Sequence, residues 1–560
     1  MKHEVIGKLV GNTGDPSNLT VALNSSFAAR RGEFVRIRHK ERAEEPEADV
    51  LGRIVKLTRS NLLYNSGLGD SVTELELMPG AKITGETVFG SIELIGYREA
   101  SAGQIRIPRR PLDPGASVRT VDYQFLSAFY EFDEQTSLHL GNLVGYDQGE
   151  NIVPVYLDVN RLVTEHLAVL AMTGAGKSYT IGRIIERLVG DFNGTVVVFD
   201  PHGEYGRAYL DGALHFNESE QLDDPRDTKA IPRIRRAIEK LQAAEAGICV
   251  YTPQEQGFRA KYAGANHELA LQFDHIEMDD ISEILPGLTE PQQRVLDVAI
   301  RYWREIEPEE PRDINRLRHL LGEGLDELRN WDHLSPSEAT ALNGRSAAVA
   351  SMRLSRVLME AQSFFAASIG KPTDIREMVG RPGEKIGRLV IVDLQGLGDT
   401  AKQVIAALVS SEILRAAGSK ASPIRPCFLV YEEGHNFAPA NTPAISHRVI
   451  KRVAGEGRKF GVGFAVVSQR PSKLDPDVTS QCNTLITMRL KNPDDQRFIS
   501  RASDMVSKAD IDELPSLSTG EALVCGRSIP APLLVRIGTK ALVHGGQSPD
   551  VLSIWGRFDA

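Results

Sequence analysis

The chain has 560 residues, of which 41% are hydrophobic and 25% charged, with a formal net charge of −10. This is an ordinary globular composition, with roughly three to four domain equivalents of chain, and it argues against a uniformly basic nucleic-acid coat while leaving room for a local basic channel. No apolar run approaches the roughly 18–20 residues that cross a bilayer, the start MKHEVIGKLVGN lacks a secretory apolar region, and four scattered cysteines (Cys249, Cys427, Cys482, Cys525) lack CxxC spacing. The expectation is a cytoplasmic protein with no membrane association, disulfides or cysteine-bound metal.

Residues 1–110 hold short β-type segments (Val5–Val10, Phe34–Arg38, Val50–Leu57, Leu75–Leu77, Ser91–Gly96) separated by Gly, Pro, Asn and charged turns. No helical period appears, so a small all-β barrel or sandwich is expected. The acidic run Glu41–Glu47 reads as a solvated hairpin loop, and Pro108, Pro111, Pro114 and Gly115 mark a linker. Residues 111–206 then comprise this linker and the first part of an α/β core.

Within that part, LAVLAMTGAGKSYT spans residues 167–180. Leu167, Val169 and Leu170 predict a buried strand, Thr173-Gly174-Ala175-Gly176 a tight turn, and Lys177-Ser178 the start of a helix. Ile181, Ile184, Ile185 and Leu188 give that helix one apolar face. Strand, glycine turn, Lys-Ser and helix make a phosphate-binding loop, in which backbone N–H groups from Thr173 to Tyr179 and the helix N-terminus would cradle phosphates. Lys177 would reach the β- and γ-phosphates of a nucleotide, and the Ser178 hydroxyl would ligate Mg²⁺. The consensus position for a first glycine is occupied by Ala171.

The second strand, Thr195–Phe199, ends in Asp200 and is expected beside the phosphate-loop strand. The turn Asp200-Pro201-His202-Gly203-Glu204-Tyr205 follows it. Asp200 and Glu204 there suit Mg²⁺ or water as well as they suit a plain Pro-Gly turn. Residues 207–385 read as a mainly helical insertion, with Pro291–Ile306 a clear amphipathic helix. Residues 386–500 return to strand periods at Arg388–Val392, Phe428–Tyr431, Val462–Val467 and Leu485–Met488, interrupted by the helix Ala401–Ala417. Strands alternating with helices predict a mostly parallel sheet. Residues 501–560 form a C-terminal extension, with short strands at Ala522–Cys525 and Leu533–Ile537, expected to pack on the core or on a neighbouring subunit.

A nucleotide hydrolase needs a strand-end acid for the metal shell and a base to orient water. Two strands compete: one ends in Asp393, the other in the pair Glu432-Glu433. The pair supplies both functions, so Glu432 is favoured for the metal shell and Glu433 as the base. Gln469, closing the strand Val462–Val467, can sense a γ-phosphate because an amide both donates and accepts. Arg458 on its own reads as a surface residue, but an arginine offered across a subunit boundary would stabilise transition-state charge.

AMTGAGKS, DPHGEY, YEEGHNFAP, AGEGRKFGVGFAVVSQRPSKLDP and SQCNTLITMRLKNPDDQRFI, in this order, resemble the HerA-type hexameric DNA translocases of the HerA/FtsK ATPase group. The resemblance covers residues from about 140 to 540. It implies a RecA-like P-loop ATPase core with a helical insertion, plus an N-terminal barrel of the HerA–ATP-synthase type. It also implies that Lys177 and Ser178 serve ATP and Mg²⁺, Glu433 is the catalytic carboxylate, Gln469 the sensor and Arg458 the arginine finger in trans. Gly434 stands where such proteins usually have alanine.

What the resemblance implies for function is a homohexameric ATPase that moves double-stranded DNA through its pore. Its partner would be a separate effector: a NurA-type nuclease in DNA-end processing, or a sirtuin-like protein or another nuclease in anti-phage defence. An FtsK- or conjugation-type pump fits less well, given DPHGEY, EEGH and no membrane anchor. An ATP-gated scaffold that assembles an effector with little translocation needs the same pocket and stays open at this point.

Overall fold

The computed structural model describes residues 4–542 apart from 25–28, 62–85, 100–103, 207–223, 253–265, 272–284, 362–372 and positions 43, 45, 148, 150, 245, 286, 309–311, 422 and 443. The segment Leu75–Leu77 and the tail Trp555–Phe558 lie outside these residues.

Seven strands form the N-terminal unit: β1 (Val5–Val10), β2 (Leu19–Leu23), β3 (Phe34–His39), β4 (Ala48–Asn61), β5 (Glu86–Arg98), β6 (Ile105–Arg106) and β7 (Ser117–Thr120). They follow the order β2-β1-β7-β3-β4-β5-β6, and a further antiparallel pairing of β2 with β5 closes six of them into a barrel. Along β2, Leu19, Val21 and Leu23 are buried while Thr20 and Ala22 are half-buried, the two-residue period of a sheet with one face inward. Ile6, Leu9, Val35, Ile37, Val50, Ile54, Ile92 and Val118 fill the interior. Closure leaves the six strands without free edges. The barrel runs past residue 110, because β7 pairs with both β1 and β3. The Pro-rich stretch before it is a loop of the barrel, and the Thr13 hydroxyl donates to the Leu112 carbonyl there at 2.5 Å. A four-residue strand with one core side chain carries too little periodicity to be seen in sequence.

The remaining chain builds one twelve-stranded sheet. Its elements in chain order are α1 (Tyr123–Phe129), β8 (Ser137–Leu143), β9 (Pro154–Asp158), α2 (Val159–Thr164), β10 (Leu167–Leu170), α3 (Lys177–Phe192), β11 (Thr195–Asp200) and α4 (Pro225–Ala243). After these come β12 (Ile248–Thr252), β13 (Asn266–Glu268), α5 (Glu290–Ile306), α6 (Ile314–Gly322), α7 (Gly344–Ala361), β14 (Arg388–Asp393), α8 (Asp399–Gly418) and β15 (Cys427–Glu432). The last are α9 (His447–Phe460), β16 (Val462–Ser468), β17 (Thr484–Met488), α10 (Pro493–Ala502), β18 (Glu521–Gly526) and β19 (Leu533–Ile537).

The sheet order is β13-β12-β14-β11-β15-β16-β10-β17-β18-β19-β8-β9. Pairings from β13 to β17 are parallel, and those from β17 to β9 antiparallel. Helices cover both faces of the parallel part. In β11, Val196 and Val198 enter the layer with α3 and α4, whereas Val197 and Phe199 enter the layer with α5 to α9. Strands buried on both faces read as continuous apolar runs, as VVVF does here.

The sheet order adds detail to two sequence expectations and overturns a third. The described part of residues 207–385 is mainly helical and also holds β12 and β13, which extend the sheet edge beyond β14. The chain after 500 contributes β18 and β19 to the central sheet, and β8 and β9 continue it. Finally, β11 is not beside the phosphate-loop strand, because β15 and β16 lie between β11 and β10. Strand order depends on where each crossover returns, and local periodicity carries no record of that.

Candidate nucleotide site

The C-terminal ends of β10, β16 and β15 lie side by side, with Leu170 opposite Ser468 and Glu432 opposite Val467. Loops leaving this edge of a parallel sheet are where α/β folds bind ligands. After β10 the chain turns through Gly174 (φ +77°) and Gly176 (φ +104°), conformations closed to most side chains, and enters α3 at Lys177. Ala171 is buried, its φ is not positive, and its N–H donates to the Ser468 carbonyl at 3.1 Å. Glycine's conformational freedom is therefore not needed at position 171. The Gly520 N–H, from the turn before β18, donates to the Ala175 carbonyl at 3.2 Å and ties the loop to the antiparallel half of the sheet.

The ammonium of Lys177 stands 2.5 Å from Glu433 Oε1 and 3.5 Å from Glu432 Oε2. Burial works against its charge, but the two carboxylates outweigh burial and its pKa is raised. Glu432 is almost fully buried, and burial pushes its carboxyl up to about 7, although Lys177 and the Tyr205 hydroxyl draw it down. Glu433 sits in the left-handed region (φ 51°), an uncommon position for a non-glycine residue that turns its carboxylate back over the loop. Thr173 Oγ1 donates to Gln469 Oε1 at 2.6 Å, so the tip of β16 touches the phosphate loop directly. Lys177, Glu432, Glu433, Thr173 and Gln469 are thus one contiguous cluster. Ser178 and Tyr179 follow Lys177 in the first turn of α3, and the Tyr179 hydroxyl accepts from the Lys540 N–H at 2.8 Å, on the C-terminal segment.

Asp200 has a different place. One carboxylate oxygen accepts the N–H groups of His202 (3.2 Å), Gly203 (2.8 Å) and Glu204 (3.2 Å), and the other accepts that of Tyr205 (2.9 Å). It folds the turn, with its charge committed to the backbone; burial and then the neighbouring Asp393 raise its pKa to about 6 against these donors. The turn delivers Tyr205, whose hydroxyl donates to Glu432 Oε1. Glu204 is half-buried in the same turn. Asp393 ends β14, two strands from β15 and four from β10.

Two site residues escaped the sequence reading, Tyr205 and His435. His435 Nδ1 lies 3.1 Å from Ser468 Oγ and 3.4 Å from Glu433 Oε2, bridging the base and the β16 tip. Both stand inside conspicuous motifs, DPHGEY and EEGH, but nothing local says where their side chains go.

Arg458 is not in this cluster. It lies near the end of α9, just before β16 begins, so the length of β16, about 20 Å at 3.3 Å per residue, separates it from Gln469. Its guanidinium faces Glu165 at 3.4 Å, and its side chain is 61% exposed.

A metal has a second conceivable home among the described residues, the buried group His139, Asp224 and Asp227. There Asp227 already accepts from Arg183 at 2.9 Å, Arg187 at 2.6 Å and the Thr539 N–H at 2.8 Å. The guanidiniums neutralise that cluster and knit α3, α4 and the C-terminal segment together. The loop cluster fits a nucleotide–Mg²⁺ complex better, having positive-φ glycines, a helix N-terminus, a hydroxyl at Ser178 and the Glu432-Glu433 pair.

The chain is similar to several known proteins. The family described as "Helicase HerA, central domain" matches residues 138–413. The chain is 29% identical to the DNA double-strand break repair helicase HerA of Pyrococcus furiosus, over 96% of this chain and 94% of that protein. It is also 29% identical to the probable DNA double-strand break repair helicase HerA of Methanocaldococcus jannaschii, over 85% and 90% respectively. Among solved structures, the plasmid coupling protein TrwB in complex with the ATP analogue ADPNP superposes with a TM-score of 0.49 and 13% identity, covering 76% of this chain and 94% of that one. No helix among the described residues is long and apolar enough to cross a membrane.

Proposed function

Since the chain belongs to the HerA-type P-loop ATPases, we propose that it is a ring-forming, ATP-dependent translocase of double-stranded DNA working with a separate effector. The observation that carries this reading is Lys177 held between Glu432 and Glu433 at the mouth of the phosphate loop. Phosphates in the loop would compete with both carboxylates for the ammonium, which frees Glu433 to orient a water. Ser178 and Glu432 would hold Mg²⁺, which supplies charge neutralisation of the phosphates. Thr173, Gly174, Ala175, Gly176 and Tyr179 would line the phosphates through the backbone, and Gln469 would sense the γ-phosphate.

Arg458 is too far to act on its own chain's nucleotide, and its exposure supports action on a neighbour's. Each nucleotide would then lie between two subunits of a homohexamer, with Lys177, Glu432 and Glu433 from one and Arg458 from the next. The N-terminal barrel is the proposed dock for the effector, a NurA-type nuclease or a defence effector.

Two measurements test this together: ATP turnover with and without linear double-stranded DNA, and the mass in solution. A hexamer strongly stimulated by DNA supports the translocase. An unstimulated hexamer overturns it in favour of an ATP-gated scaffold.

A further inference from the structure

A second arginine shares the carboxylate that holds Arg458. Glu165 follows α2, and its side chain is 8% exposed. One of its oxygens lies 3.4 Å from the Arg458 guanidinium, the other 3.7 Å from that of Arg527, and both arginine side chains are 61% exposed. Arg527 stands in the turn after β18. Because Gly526 is opposite Thr484, and Thr484 opposite Leu167, this turn lies at the edge of the sheet away from the phosphate loop, as Arg458 does.

The turn is unusually well anchored for one that presents an exposed side chain. The Arg527 N–H donates to the Asn483 carbonyl at 2.8 Å, and its carbonyl accepts from Arg161 at 2.8 Å. The Ser528 hydroxyl accepts from Thr484 at 2.8 Å, and the Ser528 carbonyl from the Asp158 N–H at 2.9 Å. Gly526 has φ +117°, and a Cβ there would lie 1.9 Å from the Asn483 carbonyl oxygen, so the turn admits only glycine at that point. The backbone is fixed while the guanidinium is held loosely. Both Glu165 contacts, at 3.4 and 3.7 Å, exceed the roughly 2.7–2.9 Å of a strong charge-assisted hydrogen bond. A phosphate could draw one arginine away while the other keeps the buried Glu165 carboxylate paired.

We propose that Arg527 is a second arginine offered to the neighbouring subunit's nucleotide, and that Glu165 is the residue that positions Arg527 and Arg458 together. Two guanidiniums spread by one carboxylate match the separated oxygens of a triphosphate better than one, because each presents a planar fork of donors. This rests on the ring reading given above and adds a residue to the shared site.

The test mixes subunits. Arg527→Ala should lower ATP turnover by roughly 10–100-fold, less than the full effect of an arginine finger, with solution mass and nucleotide binding unchanged. Mixed with Glu433→Ala subunits, it should regain activity, because interfaces that combine an intact Glu433 with an intact Arg527 from the next subunit reappear. Arg458→Ala mixed with Glu433→Ala is the control for the ring itself. If that control recovers but Arg527→Ala alone keeps turnover within twofold, or loses it without recovery on mixing, the assignment of Arg527 is overturned and the ring stands. If the control fails, the shared site is wrong and Arg527 falls with it. Glu165→Gln should lower kcat while leaving KM for ATP within twofold; a variant with unchanged kcat refutes the positioning role.

Discussion

Tyr205→Phe isolates one hydrogen bond on which the ionisation of Glu432 depends. The hydroxyl is buried and donates to Glu432 Oε1, while burial pushes that carboxyl up to about 7. A hydrogen bond to a charged group contributes about 1.5–3 kcal/mol, and one pKa unit is about 1.4 kcal/mol, so removing it raises Glu432 further, by roughly one to two units. If an ionised Glu432 is needed for the metal shell, the acid limb of kcat/KM, which reports groups of the free enzyme, moves up by the same amount. On the acid side of both limbs the variant then loses about ten- to a hundredfold in kcat/KM, and the loss closes as pH rises past the shifted limb. Stability should follow the same group. Its folded pKa lies above the ordinary value of 4.5, so its contribution is fully present below pH about 4.5 and is lost as pH rises through about 7. In the variant that loss extends to higher pH, seen as a melting temperature that keeps falling where the parent has levelled off. An acid limb that stays in place would assign it to another group and refute the role given to Tyr205.

Other substitutions probe neighbouring parts of the site and its support. Lys177→Ala should abolish hydrolysis, and retained turnover would remove the phosphate-loop assignment. Gln469→Ala removes the acceptor for Thr173 and should lower turnover by about tenfold or more while the melting temperature stays within a degree or two; unchanged turnover would leave the contact without a catalytic part. Gly463→Ala would place a Cβ 1.4 Å from the Val163 carbonyl oxygen, forcing α2 off β16 at a cost of roughly 3 kcal/mol or more, read as a large drop in melting temperature or loss of soluble protein.

The parts of the fold legible in sequence were those whose signal is local. LAVL, VVVF and CFLVY are apolar runs bounded by turn residues, and each forms a strand buried on both faces. The amphipathic stretch Pro291–Ile306 forms α5 with Val295, Leu296, Ala299, Ile300 and Trp303 buried. What escaped was short or depended on distant pairing. β12 and β13, five and three residues long, sit between helical segments, and β8 reads SLHLGNL, with polar residues that are nonetheless buried in the sheet. His139 there is buried against Asp227 and Arg183, so its polarity reports a network and not a surface.

The site divides along the same line. Its backbone devices, the positive-φ glycines and the helix start, are written in consecutive residues and could be read as such. Its electrostatics are not, because each decisive contact joins residues far apart in the chain: Tyr205 with Glu432 across 227 positions, Lys177 with Glu433 across 256, and Thr173 with Gln469 across 296. Asp200 shows the consequence. A strand-end aspartate followed by Pro and Gly has the same sequence whether it ligates a metal or folds a turn. Four backbone N–H groups aimed at its carboxylate decide for the turn, and the turn so formed sets the Tyr205 hydroxyl against Glu432 at the end of β15. The residue that then completes the metal-shell candidate is the tyrosine at the end of the motif, which polarity alone ranks below both acids.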